Sequence, residues 1–147
     1  MKLALVRSPE LFELLEVHGR RVISQRFQGD DSVADRIIHL SIEIMLEELG
    51  PNLWEHKLER CVDYGHTFSK ILEMQPAADL MHGEAVNIDG LFCVILAHNR
   101  NLCTREERDR IFRAMVDIGL PTASSLCTPE LMWTVRAHLS CFFLLQC

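Results

Sequence analysis

The sequence predicts an all-α fold. Apolar residues recur at three- and four-residue steps almost throughout. Helix start and stop signals punctuate these runs. No stretch sustains the two-residue alternation of a half-buried strand, and neither a Gly-rich nucleotide loop nor an internal repeat is present. With 147 residues, 48% of them apolar, the chain is long enough to bury one real core.

The elements follow in order. Lys2 to Leu5 reads as already inside a helix, with no cap before it. Ser8, Pro9 and Glu10 supply an N-cap, a first-turn proline and an acidic first turn. Behind them Leu11, Phe12, Leu14 and Leu15 form an apolar stripe expected to stop near Gly19. Asp30 and Asp31 precede a long helix reaching Glu48, with Val33, Ile37, Ile38, Ser41, Met45 and Leu49 on its apolar face, ended by Gly50-Pro51. A third helix is expected from about Glu55, breaking near Gly65, and a further piece over 68–74 ends before Pro76. Residues 79–99 are apolar nearly all round, the pattern of a central buried helix. Thr104 and Glu107 make a capping box. The run REERDR (105–110) reads as a solvated face, with Ile111, Met115 and Ile118 as the buried stripe closed by Gly119 and Pro121. Thr128, Pro129 and Glu130 signal one more start. The last residues change character and finish on Phe142, Phe143 and Leu145. The expected organisation is a helical domain over 1–133 and a divergent tail over 134–147, with both ends reading as cut.

Composition narrows the partners. A net charge of −6 and a pI near 5.6, without a basic patch, argue against nucleic acid. No apolar run approaches the roughly 20 residues that span a bilayer, and the first residues become charged too soon for a signal peptide. Six cysteines are present without C-x-x-C or zinc-ribbon spacing. They read as reduced thiols of a cytoplasmic protein, Cys61 and Cys93 within apolar helices.

One stretch stands apart. In DYGHTFSKILEMQPAADLMHGE (63–84), His66 follows a glycine and His82 precedes one, sixteen residues later. A catalytic divalent metal takes about three protein ligands and leaves a position open, and two of those could be these imidazoles. The turn QPAAD (75–79) would let the chain fold back to bring them together. Gly65 and Gly83 would allow close approach, and Asp63 and Glu84 are candidate carboxylates to fix an imidazole tautomer. The spacing matches no common zinc motif, so two unrelated helix-terminal histidines stand as the alternative.

DYGHTFSKILE followed by LMHGEAVNIDGL resembles the metal-binding segment of the sugar phosphate cyclases, the dehydroquinate synthase family. LVRSPELFELLE (5–16) resembles the opening of that family's C-terminal helical domain. The resemblance implies that His66 and His82 are metal ligands and that Lys2 is a pocket lysine. It implies a third ligand, a glutamate, just ahead of Met1, and an NAD-binding α/β domain that this chain lacks. Asp63 stands where dehydroquinate synthases carry asparagine, Lys70 where they carry a second histidine, and Glu59 where they carry arginine. Asp63 and the wording DYGHTFS instead resemble the 2-epi-5-epi-valiolone synthase branch, which cyclises sedoheptulose 7-phosphate. That branch usually has proline where Lys70 stands, so Lys70 departs from it at a pocket position. The implied chemistry uses NAD and one divalent metal, zinc or cobalt, in a homodimer acting on a sugar phosphate, with Lys2, Asp63 and Lys70 in the pocket. The alternatives are a 3-dehydroquinate synthase-like enzyme, or a non-catalytic helical module for binding or dimerisation. The chain alone is expected to be inactive and to self-associate through surface left uncovered on the 79–99 helix, Leu3 or Leu5.

Overall fold

The computed structural model describes residues 1–28, 32–54, 56, 60–75, 79–131 and 133. The tail over 134–147, Asp30, Asp31, Pro76 and residues 55 and 57–59 of the helix expected from Glu55 lie outside these residues; the rest of that expected helix, over 60–65, is corrected to a single 3-10 turn at Cys61–Asp63. The described residues form α1 (Lys2–Val6), α2 (Pro9–Ser24), α3 (Ser32–Leu49), α4 (Ser69–Glu73), α5 (His82–Asn99) and α6 (Arg105–Asp117). Single 3-10 turns lie at Gly50–Asn52 and Cys61–Asp63. No strand occurs among the described residues.

The start signals act as expected. The Ser8 hydroxyl accepts from the Leu11 N–H at 3.1 Å and opens α2. Thr104 and Glu107 complete their reciprocal box at α6, with the Glu107 N–H donating to Thr104 Oγ1 at 3.1 Å and Glu107 Oε2 accepting from the Thr104 N–H at 2.7 Å. Gly119 ends that helix with φ of 81°, a left-handed conformation glycine takes without steric cost.

Four further expectations are corrected. Gly19 does not stop α2, which continues to Ser24. It marks a helix crossing instead: a Cβ there would sit 2.5 Å from Ile118 Cγ2. On α3 the buried stripe is Ala34, Ile37, Leu40 and Ile44, one position round from the expected face, and Ile38 is exposed. Leu3, expected to be uncovered, is only 8% exposed because α1 packs on α2 and α3. Cys61, placed by sequence in an apolar helix, lies exposed in a 3-10 turn.

The core forms where α1, α2, α3 and α6 meet, around Leu11, Phe12, Leu15, Val22, Ile37 and Ile44. The REERDR run contributes to this assembly and is not only solvated. Arg110 clamps Glu16 of α2 at 2.8 and 2.6 Å while its guanidinium lies 5.0 Å from the Phe12 ring centroid. Such exposed pairs are screened by solvent and contribute little, so burial dominates.

Helix α5 is buried in every direction over its first half. Ala85 to Leu91 are seven consecutive buried residues. Among them is a carboxylate, Asp89, with no exposure at all. Asp89 Oδ2 accepts from the Phe68 N–H and, at 2.9 Å, from the Ser69 N–H. It thereby satisfies donors at the start of α4, which lack intrahelical partners. Glu73, the last residue of α4, reaches His82, the first residue of α5. The short helix therefore runs back antiparallel along α5, tied to it at both ends.

Replacing Asp89 with alanine leaves those two buried N–H groups unpaired. The expected loss is about 1–3 kcal/mol of unfolding free energy, read by denaturant titration, and an unchanged midpoint contradicts the anchoring role.

Candidate metal centre

The segment 63–69 lies flat on α5, and three contacts hold it there. Gly65 has φ of 77°, and a Cβ on it would come 2.7 Å from the Val86 carbonyl oxygen. Only glycine tolerates both conditions. Tyr64 donates its hydroxyl to the Gly90 carbonyl at 2.6 Å, and burial pushes its pKa well up. Asp89 makes the third contact. Val86, Asp89, Gly90 and Cys93 line one face of α5 at helical spacing, and His82 begins that face one turn earlier.

This arrangement sets the two histidines side by side. Their ring centroids are 5.4 Å apart, with planes inclined at 57°. Two imidazoles sharing one tetrahedral zinc, with Zn–N bonds of about 2.0–2.1 Å, hold their centroids roughly 5 Å apart. In both rings Nδ1 faces an acceptor. His66 Nδ1 lies 3.2 Å from the Tyr64 carbonyl oxygen. His82 Nδ1 lies 3.0 and 3.1 Å from the two carboxylate oxygens of Glu73. Each Nε2 is thus left as the available metal-binding nitrogen. Among the described residues, no group of three or more His, Cys, Asp and Glu is placed to hold a metal ion, so this pair offers two ligands of a set.

A cavity of about 250 Å³ adjoins the pair, lined by Lys2, Tyr64, His82, Gly83, Val86 and Asn87 among others. Lys2 donates to the Val62 carbonyl at 2.7 Å. Burial lowers the pKa of its ammonium, Asp63 opposing that and Arg60 adding to it. Gly83 meets nothing within 4 Å where its Cβ would be, so it leaves open space at the cavity wall. Lys2 and His82 therefore line one cavity, with His66 beside His82. Lys70 does not join them; it is exposed on α4 and is not among the residues lining the cavity.

The carboxylates assigned to the imidazoles from sequence are corrected. Asp63 is gripped by Arg60 at 3.0 and 2.9 Å. Glu84 accepts from the Met81 N–H at 2.8 Å and so caps α5. The groups that face the rings are Glu73 and the Tyr64 carbonyl. Sequence reasoning passed over Glu73, whose only signal is its place at the end of a short helical piece just before the turn.

Comparison with known proteins gives the chain's relatives. A family model described as 3-dehydroquinate synthase C-terminal matches residues 1–138. The chain is 51% identical over 136 residues to a 2-epi-5-epi-valiolone synthase of Actinoplanes sp., covering 90% of this chain and 34% of that protein. It is 37% identical over 139 residues to a demethyl-4-deoxygadusol synthase of Trichormus variabilis, again 90% of this chain and 34% of the relative. The solved structure of 2-epi-5-epi-valiolone synthase from Streptomyces hygroscopicus subsp. jinggangensis 5008, with NAD+ and Zn2+ bound, superposes with a TM-score of 0.88 at 45% identity. It is matched over 93% of this chain and 38% of that one. The chain thus spans about a third of the length of these relatives.

The Arg60–Asp63 pair gives a pH prediction. The guanidinium holds the Asp63 carboxyl below its ordinary pKa, with His66 and Lys2 adding to the effect. Stability from this pair is therefore present above the unfolded carboxyl's pKa and lost as pH falls through the depressed folded value. Arg60→Ala should move the Asp63 midpoint up toward the ordinary aspartate value in a carboxyl-carbon NMR titration. A midpoint unmoved by the substitution contradicts the assignment.

Proposed function

We propose the following function for this chain, which belongs to the 3-dehydroquinate synthase C-terminal family: it is the metal-binding helical part of a 2-epi-5-epi-valiolone synthase-like cyclase. The observation that carries the proposal is the facing pair His66 and His82, each with Nδ1 occupied and Nε2 left over. The donor set suits zinc, which the solved relative carries alongside NAD+; cobalt has no comparable support. Bound there, the metal supplies Lewis-acid polarisation of a sugar hydroxyl. NAD supplies the redox step, and we assign its binding to the part of such an enzyme that lies outside this helical domain.

The chain's own residues then divide the remaining work. His66 and His82 hold the metal. Lys2, on the cavity wall, spends one of its three N–H donors on Val62 and offers the others to substrate oxygens. Asp63, held by Arg60, keeps a negative charge beside Lys2 and His66. Lys70, expected in the pocket, is exposed on α4 and takes no part in this division. The substrate proposed is sedoheptulose 7-phosphate, closed to a carbocycle with loss of phosphate. Asp63 and the higher identity to valiolone synthases favour it over the 3-dehydroquinate synthase reading.

We further propose that the chain pairs with a second copy. Exposed Ile38, Ile42 and Leu46 form an apolar stripe on α3 that supports this. The free cysteines Cys61, Cys93, Cys103 and Cys127 suit a reducing, cytoplasmic compartment. No helix among the described residues is long and apolar enough to cross a membrane.

Three measurements test these proposals. In calorimetric titration, His66→Ala and His82→Ala should each weaken zinc binding by about tenfold or more; binding unchanged in both variants removes the metal-site reading. The 147-residue chain, given NAD, zinc and sedoheptulose 7-phosphate, should release no phosphate above background, and clear turnover contradicts the division of labour. In size-exclusion chromatography it should elute above the position of a 16.9 kDa monomer, whereas a clean monomer overturns the pairing.

A further inference from the structure

We propose that Glu73 is a positioning residue for the metal site: its carboxylate fixes the tautomer and orientation of His82 and thereby raises its affinity for the metal. The proposal rests on the reading that His66 and His82 hold that metal. A neutral imidazole carries one N–H, and a carboxylate only accepts. With both Glu73 oxygens 3.0 and 3.1 Å from His82 Nδ1, the proton belongs on Nδ1 and the lone pair on Nε2. The carboxylate also makes the imidazole a stronger donor to a cation.

The support is built into the fold. Glu73 is the last residue of α4, and the start of α4 is bound by the buried Asp89 of α5. Leu72, beside it, is 1% exposed and locks the helix to α5. Glu73 is therefore delivered to His82 by a short element fixed at both ends. His66 has no comparable device: a backbone carbonyl at 3.2 Å orients its ring. The two proposed ligands are unequal: Asp63 acts on His66 only through space, whereas His82 is hydrogen-bonded directly by a carboxylate.

The test uses the whole chain and two readouts. Zinc affinity is measured by chelator competition for wild type, Glu73→Ala, Glu73→Gln, His66→Ala and His82→Ala. Glu73→Ala should weaken zinc binding about 10- to 100-fold. Glu73→Gln, which keeps an acceptor oxygen within reach, should lose less. Long-range proton–nitrogen NMR of the metal-free wild type reads the His82 ring directly and needs no variant to fold; it should show the proton on Nδ1. A proton on Nε2 in wild type overturns the proposal. So does Glu73→Ala with wild-type zinc affinity while His82→Ala lowers it, an outcome that leaves the metal-site reading intact. If both histidine variants bind zinc as wild type does, that reading itself fails.

Discussion

The arrangement of the site depends on one buried carboxylate. Asp89 sits within the most apolar helix of the chain with no exposure. An unpaired charge there would cost several kcal/mol. It is offset by two backbone N–H groups at the start of α4, which would otherwise be unsatisfied themselves. Each side of this contact makes the other tolerable, so the 63–69 segment has one place to lie. Gly65 then permits the backbone to touch Val86, and Tyr64 closes on Gly90. His66 is held opposite His82 as a consequence of these contacts, none of which involves a metal.

This explains how a pair sixteen residues apart can form a site without a recognised motif. The chain makes a tight antiparallel return: a loop, about one and a half turns of helix in α4 and then, a few residues on, the start of the long helix α5. Five residues of α4 rise about 7.5 Å, and the seven steps from His82 to Asp89 rise about 10.5 Å. The short element fits within that span and ties to both of its ends. The return also brings the site to the cavity wall shared with Lys2, whose helix α1 packs on α5.

Much of this was legible in the sequence, and the misses have physical reasons. Caps were legible because capping is local: Ser8, Thr104 and Glu107 act within three residues of themselves. The buried character of α5 was legible because its apolar residues run round the whole helix. The side-by-side placement of His66 and His82 was legible through their flanking glycines and through family resemblance. Gly19 was misread because a helix crossing with Ile118, about a hundred residues away, leaves no local mark. Asp63 and Glu84 were assigned to the rings because they are adjacent in sequence. The structure instead spends Asp63 on Arg60 and Glu84 on the cap of α5. Asp89 offered a visible signal, an aspartate in an otherwise apolar run, that only a question about its partners would have used.

Placing a cation at this point carries an electrostatic cost. His82 is the first residue of α5, and a helix start carries roughly half a positive charge, which disfavours a cation by a few tenths to about 1 kcal/mol. Three carboxylates surround that start in different roles. Glu84 caps the helix and partly neutralises its end, Glu73 backs His82, the proposed ligand, and Asp63 stands beside His66. None of them needs to be a metal ligand to make the position tenable for a divalent ion. The same helix start favours an anion, so a phosphate-bearing substrate and a metal can share one cavity mouth only if the acidic groups are committed elsewhere. Here they are: each of the three is bound to a specific protein donor or imidazole, which leaves Lys2 and the open wall at Gly83 facing the cavity. Charge compensation by groups tied to the protein would suit the Lewis-acid site proposed above.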